Sequence, residues 1–146
     1  GVLENALERE MDDLGSKVSS FSGQSLRDQA PIQEMIANSD AALRAARAGH
    51  VEAMTAVWDV AQTGEEVPLR LRAQVYASSY YAIDVIRDTI SRLYARGTRA
   101  AFQQGHPVER ALRNLHAIGF GLEAGRMFQH SAGRVLMGGE PLVPVF

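Results

Sequence analysis

The chain contains no cysteine among its 146 residues, and that absence removes disulfides, thiolate metal sites and thiol nucleophiles together. A cytoplasmic setting is the expectation. No uninterrupted apolar run approaches the roughly 20 residues that a membrane-spanning helix needs, and the N-terminus lacks the basic-then-apolar layout of a signal peptide. Charge of one sign is missing as well. The 15 basic and 17 acidic residues leave a formal net charge of -2 and are spread along the chain, so nucleic acid and anionic membranes find no electrostatic footprint. Strand signals are also lacking: no stretch alternates strictly between apolar and polar residues, and no Asn-Gly or Asp-Gly pair marks a tight hairpin. The first residue is Gly1 and not Met. With a helical pattern running from residue 2, this reads as a piece of a longer polypeptide, although removal of a tag would leave the same glycine.

What is present is helical periodicity, punctuated by glycine and proline. A first helix is expected over Val2 to Ser19, with Leu3, Leu7, Met11, Leu14 and Val18 at three- and four-residue steps on one face. The polar stretch 19–25 then reads as a loop with Phe21 as its anchor. Pro31 suits the first turn of a second helix, because its missing N–H would be unpaired there. The alanine-rich stretch from Ala41 to Ala48 favours that helix, and Thr63-Gly64 ends it. Pro68 opens a third helix carrying Leu69, Tyr76, Tyr80, Ile83, Ile86, Ile90 and Leu93, and Gly97 closes it. Pro107 begins a fourth segment with Val108, Leu112, Leu115, Ile118 and Leu122 on one face. Gly119, Gly121, Gly125 and Gly133 interrupt this segment, each costing about 0.8 to 1 kcal/mol relative to Ala inside a helix. A break near Gly119-Phe120-Gly121 and a last short helix to Met137 are therefore expected, followed by an extended tail. The fold class is all-α: one domain over 1–146, an up-and-down four-helix bundle with a short extra C-terminal helix.

Few residues suggest chemistry. His50 shares a seam with Ile36, Leu43 and Val57 and reads as a core polar group satisfied by a neighbour, with a buried acid or base as the alternative. His106, just before Pro107, is expected at the surface where the fourth helix starts, and His130 lies near the last short helix. No two histidines have the spacing of a bundle metal site, so no metal is expected. Gly97-Thr98-Arg99 could turn backbone amides toward an anion, but it lacks any specific phosphate-loop spacing and is equally a plain helix stop. Arg110 and Arg113 stand three residues apart on one helix face. They could clamp a phosphate or carboxylate, or simply pair with Glu109. Met35, Met54, Met127 and Met137 read as gap-filling core residues.

The stretch Leu93-Tyr94-Ala95-Arg96-Gly97-Thr98, followed by Pro107-Val108-Glu109-Arg110-Ala111-Leu112-Arg113-Asn114, resembles the second type of C-terminal helical domain in the acyl-CoA dehydrogenase superfamily. There a helix ends in a Leu-Tyr…Gly-Ser/Thr motif and the next begins Pro-Leu-x-Arg-x-x-Arg-Asp. Ala6-Leu7-Glu8 and Gly133 to Gly138 resemble the opening and closing helices of the same domain. The resemblance implies a larger flavoprotein, using FMN or FAD, with an N-terminal helical domain and a middle β domain. It also implies a homo-oligomer, dimer or tetramer, with flavin lying where the domains meet. Members similar to this type are often monooxygenases that act on a small-molecule substrate and receive reduced flavin from a separate flavin reductase. Gly97, Thr98, Arg110 and Arg113 are then the expected cofactor-binding residues. The 146 residues are expected to be inactive alone.

Two departures bear on the reaction. The glutamate base of the dehydrogenases falls at Phe120, which cannot abstract a proton. The histidine carried by many hydroxylases falls at or beside Gly121. Asn114 also replaces an Asp and removes a partner for Arg113. A monooxygenase tolerates these losses better than a dehydrogenase, because the flavin itself activates oxygen and the protein orients and desolvates it. His116 is the remaining candidate for a catalytic base. The alternatives are a true acyl-CoA dehydrogenase and a free-standing helical interaction module.

Overall fold

A computed structural model describes residues 2–143 and 146, apart from the side chains of 118–124. The fold is all-α, a helical bundle with no strand among the described residues. Four helices, α1 (Val2–Ser16), α2 (Ala30–Gln62), α3 (Leu69–Arg96) and α4 (Pro107–Leu136), are supplemented by short 3-10 turns at Leu26–Asp28 and Arg99–Phe102. The punctuation acts as expected. Gly64 has φ of 78° just past α2, a conformation that costs glycine little. The carbonyl of Pro68 accepts the first amides of α3, from Leu71 and Arg72. The break expected at Gly119-Phe120-Gly121 is not present: the backbone is helical through these residues and on to Leu136 as part of α4, while the side chains of 118–124 lie outside the described ones. No helix among the described residues is long and apolar enough to cross a membrane.

The first helix stops three residues earlier than its periodicity suggests. Ser16 Oγ turns back to the carbonyl of Asp13, and the chain then forms an antiparallel bridge between Val18 and Ser25. Ser19 Oγ accepts the amides of Phe21 and Ser22, and Arg27 donates through Nε and Nη2 to the carbonyl of Gly15. Polar contacts therefore hold this loop. Phe21 is fully exposed and is not the anchor it was expected to be. Met54, Met127 and Met137 are likewise exposed, and of the four methionines expected in the core Met35 alone is buried.

Two compact units form, each with its own core. In the unit of 1–43 and 85–117, Ala6, Leu7, Leu14, Met35, Ile90, Leu93, Ala101, Val108 and Ala111 make a contiguous buried cluster. Leu3, Ile32, Ile36, Leu112 and Leu115 flank it. These are the apolar positions of the helical periodicity, buried because removing them from water is the main gain on folding. In the unit of 44–84 and 118–146, Ala73, Ala132, Val135 and Phe146 are buried, with Leu69, Tyr76, Phe128 and Val143 packed against them. Tyr76 is stacked between Phe128 at 5.1 Å and Phe146 at 4.9 Å between centroids, so the tail returns to the core instead of trailing away from it.

Candidate functional site

The stripe that α1 buries contains two acids. Glu10 is fully buried and Asp13 nearly so, alongside Ala6, Leu7 and Leu14. Uncompensated buried carboxylates would be very costly, and each of these has partners brought from a distant part of the chain. Glu10 Oε1 accepts the amide of Thr98, and its Oε2 lies 3.4 Å from Thr98 Oγ1. Gly97 ends α3, its amide bonding to the Leu93 carbonyl at 2.8 Å. A Cβ on Gly97 would collide with that carbonyl oxygen and with the Glu10 carboxylate. The glycine is thus more than a helix stop: its missing side chain is the space that the carboxylate occupies.

Asp13 faces the start of α4. Its Oδ2 is 3.0 Å from His106 Nε2 and its Oδ1 is 3.3 Å from Arg9. His106 is buried, where the sequence suggested a surface residue. The cause is Asp13, an acid on a different helix that no local pattern connects to the His-Pro step. His106 Nδ1 accepts the amide of Val108 at 3.2 Å, so the ring proton sits on Nε2 and is donated to Asp13. His106 is thereby the N-cap of α4. Glu109, three residues on, reaches back to the amide of Gly105 at 3.1 Å in the manner of a capping box.

Glu10, Asp13 and His106 each present one possible ligand atom, all within 4.8 Å of one another. A cation there would need the lone pair of His106 Nε2. The ring proton would then move to Nδ1, against the Val108 amide, and the cap would be lost. The hydrogen bonds present describe a satisfied polar network joining α1, the end of α3 and the start of α4. The signal for it was in the sequence: Glu10 and Asp13 are charges set among the apolar positions of one helix face.

The expected site residues divide into two groups. Thr98 points its amide and hydroxyl at Glu10, so an external phosphate at that amide would have to displace a buried carboxylate. Arg110, Arg113 and His116 lie on the exposed side of α4. Arg113 Nε is 3.5 Å from Glu109 Oε1, and the Arg110 guanidinium has no ion pair with the described residues. Phe120 and Gly121 fall within α4, and their side chains lie outside the described ones. His50 is half-buried, with Nδ1 3.2 Å from Ser78 Oγ and 3.4 Å from Ser79 Oγ. Both hydroxyls donate to the Val75 carbonyl, which leaves His50 Nδ1–H as the donor to them. It is a neighbour-satisfied polar group.

An open cleft of about 510 Å³ lies between α1 and α2, lined chiefly by Met11, Leu14, Ile32 and Ile36, with Arg27 and Asp40 at its edge. Arg27 is spent on Gly15. The cleft is apolar and brings no set of polar groups together. Comparison with protein families matches residues 1–120 to the acyl-CoA dehydrogenase C-terminal domain. Comparison with curated proteins finds no match.

Proposed function

Because the chain belongs to the acyl-CoA dehydrogenase C-terminal domain family, we propose that it is the C-terminal bundle of a flavin-dependent monooxygenase of that fold. The observation that carries this reading is the pair Arg110 and Arg113, exposed on the first turns of α4 in a chain of this family. Two guanidinium groups three residues apart suit a flavin phosphate, since each offers a planar fork of donors. Gly97 and Thr98 hold the backbone through Glu10 and are not offered as phosphate donors. When bound, the flavin supplies the redox chemistry and activates oxygen. The residues of this chain bind its anionic end and help exclude water, and His116, one turn after Arg113, is assigned the role of carrying a proton. Phe120 at the place of the dehydrogenase base favours oxygenation over acyl-CoA oxidation. Substrate, reductase and flavin type, FMN or FAD, belong to this same reading, as does assembly into a homo-oligomer.

Titration of flavin fluorescence tests the phosphate clamp. FMN should bind at least about tenfold more tightly than riboflavin, and Arg110→Glu with Arg113→Glu should abolish the difference. Equal affinities would remove the clamp. In the complete protein, isotopically labelled dioxygen should enter product. Reduction of an artificial acceptor by an acyl-CoA would instead support the dehydrogenase.

A further inference from the structure

His106 uses both of its ring nitrogens, and it uses them in opposite senses. Nε2 lies 3.0 Å from Asp13 Oδ2 and donates to it, while Nδ1 accepts the amide of Val108 at 3.2 Å. A neutral imidazole has one donor and one acceptor, so this ring is fully engaged. A second proton can be added only at Nδ1, and the imidazolium then turns one N–H toward another. The cap is lost at that step, for the same reason that a cation on Nε2 would break it. Val108 is fully buried and His106 nearly so. Because a buried amide left without an acceptor is costly, the first turn of α4 has to move or open when the ring is charged.

The charges facing the ring are divided. Asp13 and Glu10 of α1 attract the imidazolium, their oxygens and the ring nitrogen all lying within 4.8 Å of one another. Arg9 opposes it through the ion pair with Asp13 at 3.3 Å, as does the positive end of the α4 dipole. The residue that follows the end of α3 at this cluster is Thr98, which is uncharged and bonds to Glu10. On α4 itself Glu109 is engaged by the Gly105 amide and by Arg113.

We propose that His106 is a proton-operated latch on the start of α4: neutral, it caps the helix, and on gaining its second proton it releases the first turn. A serine or asparagine would cap without any such dependence. Arg110 stands on the turn that is released, and its amide bonds to the His106 carbonyl at 2.9 Å. Arg113 follows three residues later. Acid therefore loosens the common placement of these two guanidinium groups. This consequence for the flavin rests on the reading of Arg110 and Arg113 as a phosphate clamp; the latch itself does not.

Nuclear magnetic resonance of the chain between about pH 8 and pH 5, the range in which histidine takes up its proton, tests the latch. The ring-nitrogen shifts of His106 show where the hydrogens are, and the amide proton of Val108 reports the cap. Protonation of Nδ1 and loss of the hydrogen-bonded Val108 signal should share one midpoint. Protection of the amides at 108–110, corrected for the intrinsic pH dependence of exchange, should fall about fivefold or more with the loss of the N-cap. His106→Asn keeps a side-chain oxygen for the Val108 amide and does not titrate, so its Val108 signal should stay fixed. FMN affinity should fall about fivefold further in the unaltered chain than in His106→Asn. That comparison removes the contribution of the phosphate's own proton near pH 6 and of His116. A ring that stays neutral across the range overturns the latch, as does a Val108 amide that keeps its bond while Nδ1 is protonated. The same amide moving in His106→Asn also overturns it, by assigning the change to Asp13 or Glu10. If the latch signals appear and FMN affinity does not follow them, the latch stands and the phosphate clamp falls.

Discussion

Gly97 shows how one residue can serve two roles at once. Its place after Arg96 makes it a helix terminator, and its lack of a Cβ admits the Glu10 carboxylate to the Thr98 amide. The first role is visible in local sequence; the second depends on a residue far away in the chain and is not. Gly97→Ala should destabilise the protein by about 1 to 3 kcal/mol, because the methyl group must push aside backbone or a buried carboxylate. Glu10→Ala should cost a similar amount, about 1 to 3 kcal/mol, by leaving the Thr98 amide buried and unpaired. Chemical denaturation of both variants and the double variant checks this. The two share one contact, so their effects should sum to more than the double variant loses. Tyr80 offers a comparable case. Burial raises the pKa of its phenol, opposed by the Arg126 cation and assisted by Tyr76, and a Cβ on Gly125 would strike the hydroxyl. The folded protein then holds this proton more tightly than the unfolded chain. The associated stability is complete below the unfolded value of about 10 and is lost as pH rises through the higher folded value. Tyr80→Phe should flatten the decline in stability above that pH, as measured by urea midpoints across the alkaline range.

Among the elements, α4 shows most clearly which features the sequence makes legible. Its start at Pro107 and its amphipathic face over Val108, Leu112 and Leu115 follow from residue types and a 3.6 period, both written in the local sequence. Helix ends at Gly64 and Gly97 are legible for the same reason. His106 is not, since its burial depends on Asp13, which stands on a helix ninety-three residues earlier. The loop after α1 is misread for a related reason: an aromatic residue suggests an anchor, whereas hydroxyl and guanidinium contacts from Ser19 and Arg27 hold the turn. The cap yields a prediction that separates it from a metal site. His106→Ala should cost about 0.5 to 2 kcal/mol through loss of the N-cap and of the Asp13 partner. His106→Asn should recover part of this, since a short side-chain oxygen also caps. Zinc titration followed by thermal unfolding should leave the unaltered protein's midpoint unchanged. A rise that Asp13→Asn abolishes would show that the cluster binds the ion after all.

In the molecule as a whole, the buried apolar groups of the described residues are divided unequally between the two units. The cluster of the first unit includes Leu7, Leu14, Met35, Ile90, Leu93 and Val108, whereas the second depends on Ala73, Ala132, Val135 and Phe146. Two of those four are alanines, so among the described residues Phe146 is the largest side chain buried there. It is fixed by its stack on Tyr76 and by Arg72 Nη1, which donates to its carbonyl at 2.8 Å. The tail is also held through the amide of Leu142, which bonds Ser131 Oγ at 2.9 Å. Phe146→Ala removes the aromatic ring from this small core and should cost about 3 kcal/mol. Because the two cores are separate clusters, the loss should not spread evenly. Hydrogen exchange should show amides in 69–84 and 125–136 losing protection by about a hundredfold, which is the kinetic equivalent of that cost. Amides in 3–14 and 85–96 should change much less. Equal loss along the whole chain would mean that the units open as one cooperative body, and the division of the core would then carry no consequence for stability.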